Sequence, residues 1–162
     1  MAKNIIVIGQ FKQALPFRPV GFLSLLLLDD EKDCLSFYDN YFPHLDEYYF
    51  PWTLKLRKLS LRKNRIETIG DKTFQNLQVG TIDLSNNQIE VVGSEWFKNG
   101  TRVIEINNNK LSFIESNAFP ISLIILRMNY NQLSGLQSQV LNSLNNLGEL
   151  SMAKNKLNIM PY

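Results

Sequence analysis

The residues of this chain that could do chemistry are few. Its only histidine, His44, lies in the segment Phe-Pro-His-Leu-Asp, and its only cysteine, Cys34, has no recognisable basic partner, so a thiol–imidazole nucleophile finds little support and His44 reads as a surface residue. The acids Asp29, Asp30, Glu31 and Asp33 cluster. They lack the glycine that turns a calcium loop and the terminal glutamate that closes it, and therefore read as solvated charge. No GxxxxGK[ST] is present to wrap a phosphate in backbone amides, no HExxH to hold zinc and no GxSxG to expose a serine. The chain is expected to have no catalytic residues, no metal site and no cofactor. One modification signal stands out, Asn99-Gly100-Thr101, an acceptor triplet for N-glycosylation in a loop. The remaining concentration of charge is basic: Lys58, Arg62, Lys63 and Arg65 could meet a polyanion.

Overall charge argues against nucleic acid as the partner. With 17 Lys and Arg against 15 Asp and Glu the chain carries only +2, whereas nucleic-acid binders concentrate a large excess. A single cysteine allows no internal disulfide. The longest apolar run, Val20 to Leu28, is about half the ~20 residues that a membrane-spanning helix needs, so no transmembrane segment is expected. Preceded by Lys3, Lys12 and Arg18, that run could be the core of a secretory signal, although Asp29-Asp30-Glu31 follows it at once without a small-residue cleavage site. The other reading is a buried strand or helix.

What must position any functional surface is a repeat. Asparagines at 64, 87, 109, 131 and 155 recur every 22 to 24 residues, each preceded by apolar residues at fixed offsets: LRKLSLRKNRI from Leu56, VGTIDLSNNQI from Val79, TRVIEINNNKL from Thr101, LIILRMNYNQL from Leu123 and LGELSMAKNKL from Leu147. All five fit L-x-x-L-x-L-x-x-N-x-L. Alternation within Leu59-Ser60-Leu61, Ile82-Asp83-Leu84, Ile104-Glu105-Ile106, Leu126-Arg127-Met128 and Leu150-Ser151-Met152 has the period of a strand with one buried side. A single coil cannot bury its own apolar row, so successive coils must stack. Asn64, Asn87, Asn109, Asn131 and Asn155 stand where the chain leaves each strand. A carboxamide there both accepts from and donates to backbone groups of adjacent turns, which an apolar side chain would leave unpaired. Phe74, Phe97 and Phe119 anchor the return path; in the fourth repeat Leu136, Val140 and Leu144 suggest a more helical return.

The pattern resembles the leucine-rich-repeat family, and the late phenylalanine resembles the class found in animal extracellular proteins such as receptor ectodomains and insect immune proteins. The paired-cysteine caps of that class are missing. The resemblance implies an α/β leucine-rich-repeat solenoid: a curved parallel β-sheet on the concave side, with loops and short helical turns on the convex side. It implies a non-enzymatic role in binding a protein partner, of receptor or immune type, and leans toward a secreted or extracellular setting in which Asn99 would carry a glycan.

Residues 1–54 show no clean repeat and read as an irregular N-terminal segment, a cap or a targeting region. Their aromatic stretch, which includes Phe37, Tyr38, Tyr41, Phe42, Tyr48, Tyr49 and Phe50, is expected to cover the open end of a stack of five repeats spanning residues 55–162. The fifth repeat is incomplete. Leu150, Met152 and Leu157 should be partly uncovered there, either because the array continues in a longer protein or because that end pairs with another molecule in self-association. On the open sheet the residues between buried positions form columns. Val103 and Ile125 interrupt a polar surface beside Arg127 and Tyr130, the composition of an interface centre, with Asp83 and Glu105 setting charge preference. The alternative reading of Arg127 is a modest surface ion pair with Glu105.

Overall fold

A computed structural model describes residues 5–9, 31–50, 53–94 and 96–158 of the chain. The run Val20 to Leu28, the acids Asp29 and Asp30 and the last four residues lie outside them. Seven strands form one parallel sheet: β1 (Ile5–Gly9), β2 (Glu31–Tyr38), β4 (Leu54–Ser60), β6 (Leu77–Asp83), β8 (Val103–Glu105), β10 (Ile125–Arg127) and β11 (Glu149–Ser151), in that spatial order. On the return side, two-residue strands pair in two small sheets, β3 (His44–Leu45) with β5 (Thr68–Ile69) and β7 (Val91–Val92) with β9 (Phe113–Ile114). The result is a parallel-strand solenoid.

Register follows the apolar alternation. Leu35, Leu59, Ile82, Ile104 and Leu126 are paired from strand to strand and fully buried, and behind them Leu61, Leu84, Ile106 and Met128 form a second buried column. A second spine runs through the return segments. The rings of Phe50, Phe74, Phe97 and Phe119 follow one another at centroid distances of 5.9, 6.2 and 6.0 Å. The inward column opens at its last member, Leu150, which is 38% exposed, while Met152 and Leu157 are half-buried against the core.

Two expectations change. The short helical turns implied for the convex side are almost absent: among the described residues one helix occurs, α1 (Ser138–Leu141), in the fourth repeat, where Leu136, Val140 and Leu144 signalled it. Elsewhere the return segments carry β-branched residues at Thr68-Ile69 and Val91-Val92, each pair followed by glycine, and such residues favour extended backbone over helix. The aromatic stretch is also more than a lid. β2 pairs with β4 on one side and β1 on the other, and Phe37, Phe42 and Phe50 are buried core residues in edge-to-face contact. Leu35-x-Phe37-x-x-Asn40-x-Phe42 thus occupies the same positions as the later repeats.

Candidate functional site

Each recurring asparagine ties its coil to the one before. Asn87 Oδ1 accepts from the N–H groups of Asn64 (2.9 Å) and Ile66 (3.0 Å), and its Nδ2 donates to the carbonyls of Leu61 and Leu84, both at 2.9 Å. Asn109 and Asn131 accept from Ile89 and Leu111 N–H and donate to the Leu84 and Ile106 carbonyls. Asn155 takes Leu133 N–H and reaches the Met128 carbonyl, and Asn64 takes Asn40 N–H and reaches that of Phe37. Amides that serve both coils in this way give buried backbone groups at the turn a partner. The residue just before each asparagine is left-handed: Asp39, Lys63, Asn86, Asn108, Tyr130 and Lys154 have φ between 54° and 60°. That conformation turns the next amide inward and disfavours most side chains other than asparagine and glycine.

The open face of the sheet has its own polar ladder, which runs the opposite way. Ser85 Oγ accepts from Asn107 N–H, Asn107 Oδ1 from Asn129 N–H (2.9 Å), and Asn129 Oδ1 from both Ala153 N–H and the Ser151 hydroxyl at 2.8 Å. Alongside runs a line of charge. Lys58 Nζ lies 3.5 Å from Asp83 and 3.7 Å from Glu105, Arg127 Nη1 donates to Glu105 at 2.8 Å, and Arg127 grips Glu149 with two bonds of 2.7 and 3.0 Å. The hydrogen bonds from Arg127 hold the Glu149 carboxyl below the usual carboxylate range, and those same bonds, to Glu149 first and Glu105 second, raise the guanidinium. Arg127 therefore joins Glu105 as one reading anticipated, and also a diagonal partner that the columns alone did not suggest.

Within this polar face Val103 and Ile125 sit directly opposite one another on β8 and β10, both half-exposed. Tyr130 stands clear of the sheet at 57% exposure. Val103, Ile125 and Arg127 thus lie on neighbouring strands, with Tyr130 in the turn after β10, and Asp83 is buried and engaged by Lys58 and by Ser85 N–H. The four bases proposed for a polyanion are dispersed among separate partners. Lys58 serves the acids of the sheet, Lys63 donates to the Tyr38 hydroxyl (3.1 Å), and Arg65 lies over the Tyr41 ring at 5.6 Å. Arg62 reaches the Asn86 amide, whose oxygen accepts from it at 3.0 and 3.2 Å in the orientation that satisfies both groups.

Asn99 is exposed beside Gly100, whose N–H donates to Ser122 Oγ, whereas Thr101 of the same triplet is buried. Cys34 and His44 fall on different sheets: Cys34 pairs with Lys58, and His44 Nδ1 lies 2.7 Å from Thr68 Oγ1. Among the described residues no group of acids, histidines and cysteines is disposed to hold a metal, and no helix is long and apolar enough to cross a membrane.

Residues 54–98, spanning β4 to the Phe97 anchor, match the family model for the leucine rich repeat. That segment belongs to the leucine-rich-repeat family. No curated protein matches the chain. The matched segment holds Asn64 and Asn87 with their shared hydrogen bonds, and the coils that follow repeat that geometry through Asn155. A leucine-rich-repeat solenoid of this kind points in general to protein–protein interaction.

Proposed function

We propose that this leucine-rich-repeat array is a binding module that holds a protein partner on its open sheet face, centred on Val103, Ile125, Arg127 and Tyr130, with Asp83 and Glu105 setting charge preference. The observation that carries the reading is the Val103–Ile125 pair, an apolar step on an otherwise hydrogen-bonded surface, flanked by an arginine already held in place and by a prominent tyrosine. Aromatic and arginine anchors around a small apolar centre dominate the energetics of many interfaces. A receptor-like or immune role in an extracellular setting belongs to the same proposal, and exposure of Asn99 is compatible with a glycan there.

The test is capture from an array of purified secreted and cell-surface proteins. The double variant I125S/Y130S should lose capture of any protein the native chain binds, with its circular dichroism unchanged. Undiminished capture by a folded double variant would remove the assignment.

A further inference from the structure

The return side contains a break. Where β3 meets β5, Glu67 N–H donates to the Pro43 carbonyl and Gly70 N–H to that of Leu45, both at 2.8 Å; where β7 meets β9, Ser112 N–H donates to Glu90 and Glu115 N–H to Val92 at 2.9 and 3.0 Å. The equivalent bonds between β5 and β7 would run from Glu90 N–H to the Glu67 carbonyl and from Gly93 N–H to that of Ile69. Among the described residues neither forms, and β5 and β7 belong to separate sheets. A cleft of about 530 Å³ opens there, a volume in the range of small-ligand sites.

Its lining is one-sided. Glu67, Asp71, Glu90 and Glu115 contribute four carboxylates, while the one ammonium, that of Lys110, donates to Gln88 Oε1 at 3.1 Å. Acidic residues alone would be no more than solvated charge, but the wall also includes Trp96. Its side chain is 4% exposed, and its indole N–H has no hydrogen-bond partner among the described residues. An N–H that lacks a protein partner in the wall of a cleft is a donor that an acceptor entering the cleft can take up. Trp96 reaches this position because residue 93 is glycine: a Cβ there would lie 2.6 Å from Trp96 Nε1.

We infer that this cleft is a second binding site, separate from the sheet face, and that it takes an arginine of a partner protein. The guanidinium would lie among Glu67, Glu90 and Glu115, and the arginine's own main-chain carbonyl would accept from the Trp96 indole N–H. The three carboxylates come from three successive coils, and a planar group with five donors suits acceptors spread in that way better than a compact ammonium does.

The probe is Nα-acetyl-arginine amide, titrated against the whole ¹⁵N-labelled chain while the indole resonance of Trp96, assigned by its loss in W96F, is followed. A saturable shift is expected. Binding should be roughly tenfold weaker for the neutral isostere Nα-acetyl-citrulline amide and for the E67Q/E90Q protein, the loss of charge-assisted hydrogen bonds. The I125S/Y130S protein should bind the probe as the native chain does, so failure of the sheet-face reading would leave this result standing. Equal binding of arginine and citrulline derivatives, or no saturable shift at millimolar probe, overturns the inference.

Discussion

The two sides of the solenoid solve the same stacking problem differently. On the sheet side every described coil is joined to the next by parallel strand pairing, from β2 to β11 also by an inward asparagine and, between β6 and β11, by an outward polar ladder that runs the other way. On the return side the strands are two residues long and the ladder stops between β5 and β7. Backbone pairing therefore runs without a break on the sheet side only. The side where it breaks is free to open a cleft or, in the fourth repeat, to become a helix.

The sharpest way to break this comparison is at the sheet-side turn. Asn87→Ala strands two buried N–H groups and the carbonyl of Leu61, while that of Leu84 keeps its bond from Asn109, and should cost about 4 kcal/mol at the ~1–3 kcal/mol typical of an unsatisfied buried group. Denaturant unfolding would measure it, and a loss well under 1 kcal/mol would mean that the sheet does not enforce stacking in this way. On the return side Gly93→Ala should be milder, about 1–3 kcal/mol of overpacking, because the indole of Trp96 can move outward. Its signature is a red-shifted tryptophan emission; an unchanged spectrum would show that Trp96 is not seated over Gly93. Tyr130→Asn, which keeps φ of 56° but substitutes the residue type found at Asn86 and Asn108, should stabilise by up to about 1 kcal/mol while weakening any partner bound on the sheet face.

The smallest effect concerns the line of charge. Because the folded Glu149 carboxyl sits below its ordinary range, its pairing with Arg127 contributes stability above that range and loses it as pH falls through the depressed value. Carbon-detected titration of Glu149 in the native chain and in R127L should give the higher midpoint in R127L. Coincident midpoints would dissolve the pair.

Much of this was legible in the sequence. Inward Leu59, Ile82, Ile104 and Leu126 and the asparagines announced the coil because one side-chain type serves one position in every turn. The coil at Leu35 was missed although Leu35, Phe37, Asn40 and Phe42 stand at the right offsets, since aromatic side chains replace the expected leucines. Phe50 belonged to the phenylalanine spine for the same reason. The grip of Arg127 on Glu149 escaped a reading by columns: its direct neighbour is Ser151, and a long side chain reaches the diagonal position instead. The cleft was not legible at all, for it arises from two hydrogen bonds that do not form. Trp96, the residue just before one spine phenylalanine, was its nearest sequence signal.

The left-handed residue before each asparagine has a further consequence. Its backbone shape is dictated by the buried amide that follows, and its side chain is left to the surroundings. Asp39, Lys63, Asn86, Asn108, Tyr130 and Lys154 differ in charge, size and polarity while sharing one conformation. Divergence can rewrite that line of six residues without redrawing the solenoid, one character per coil.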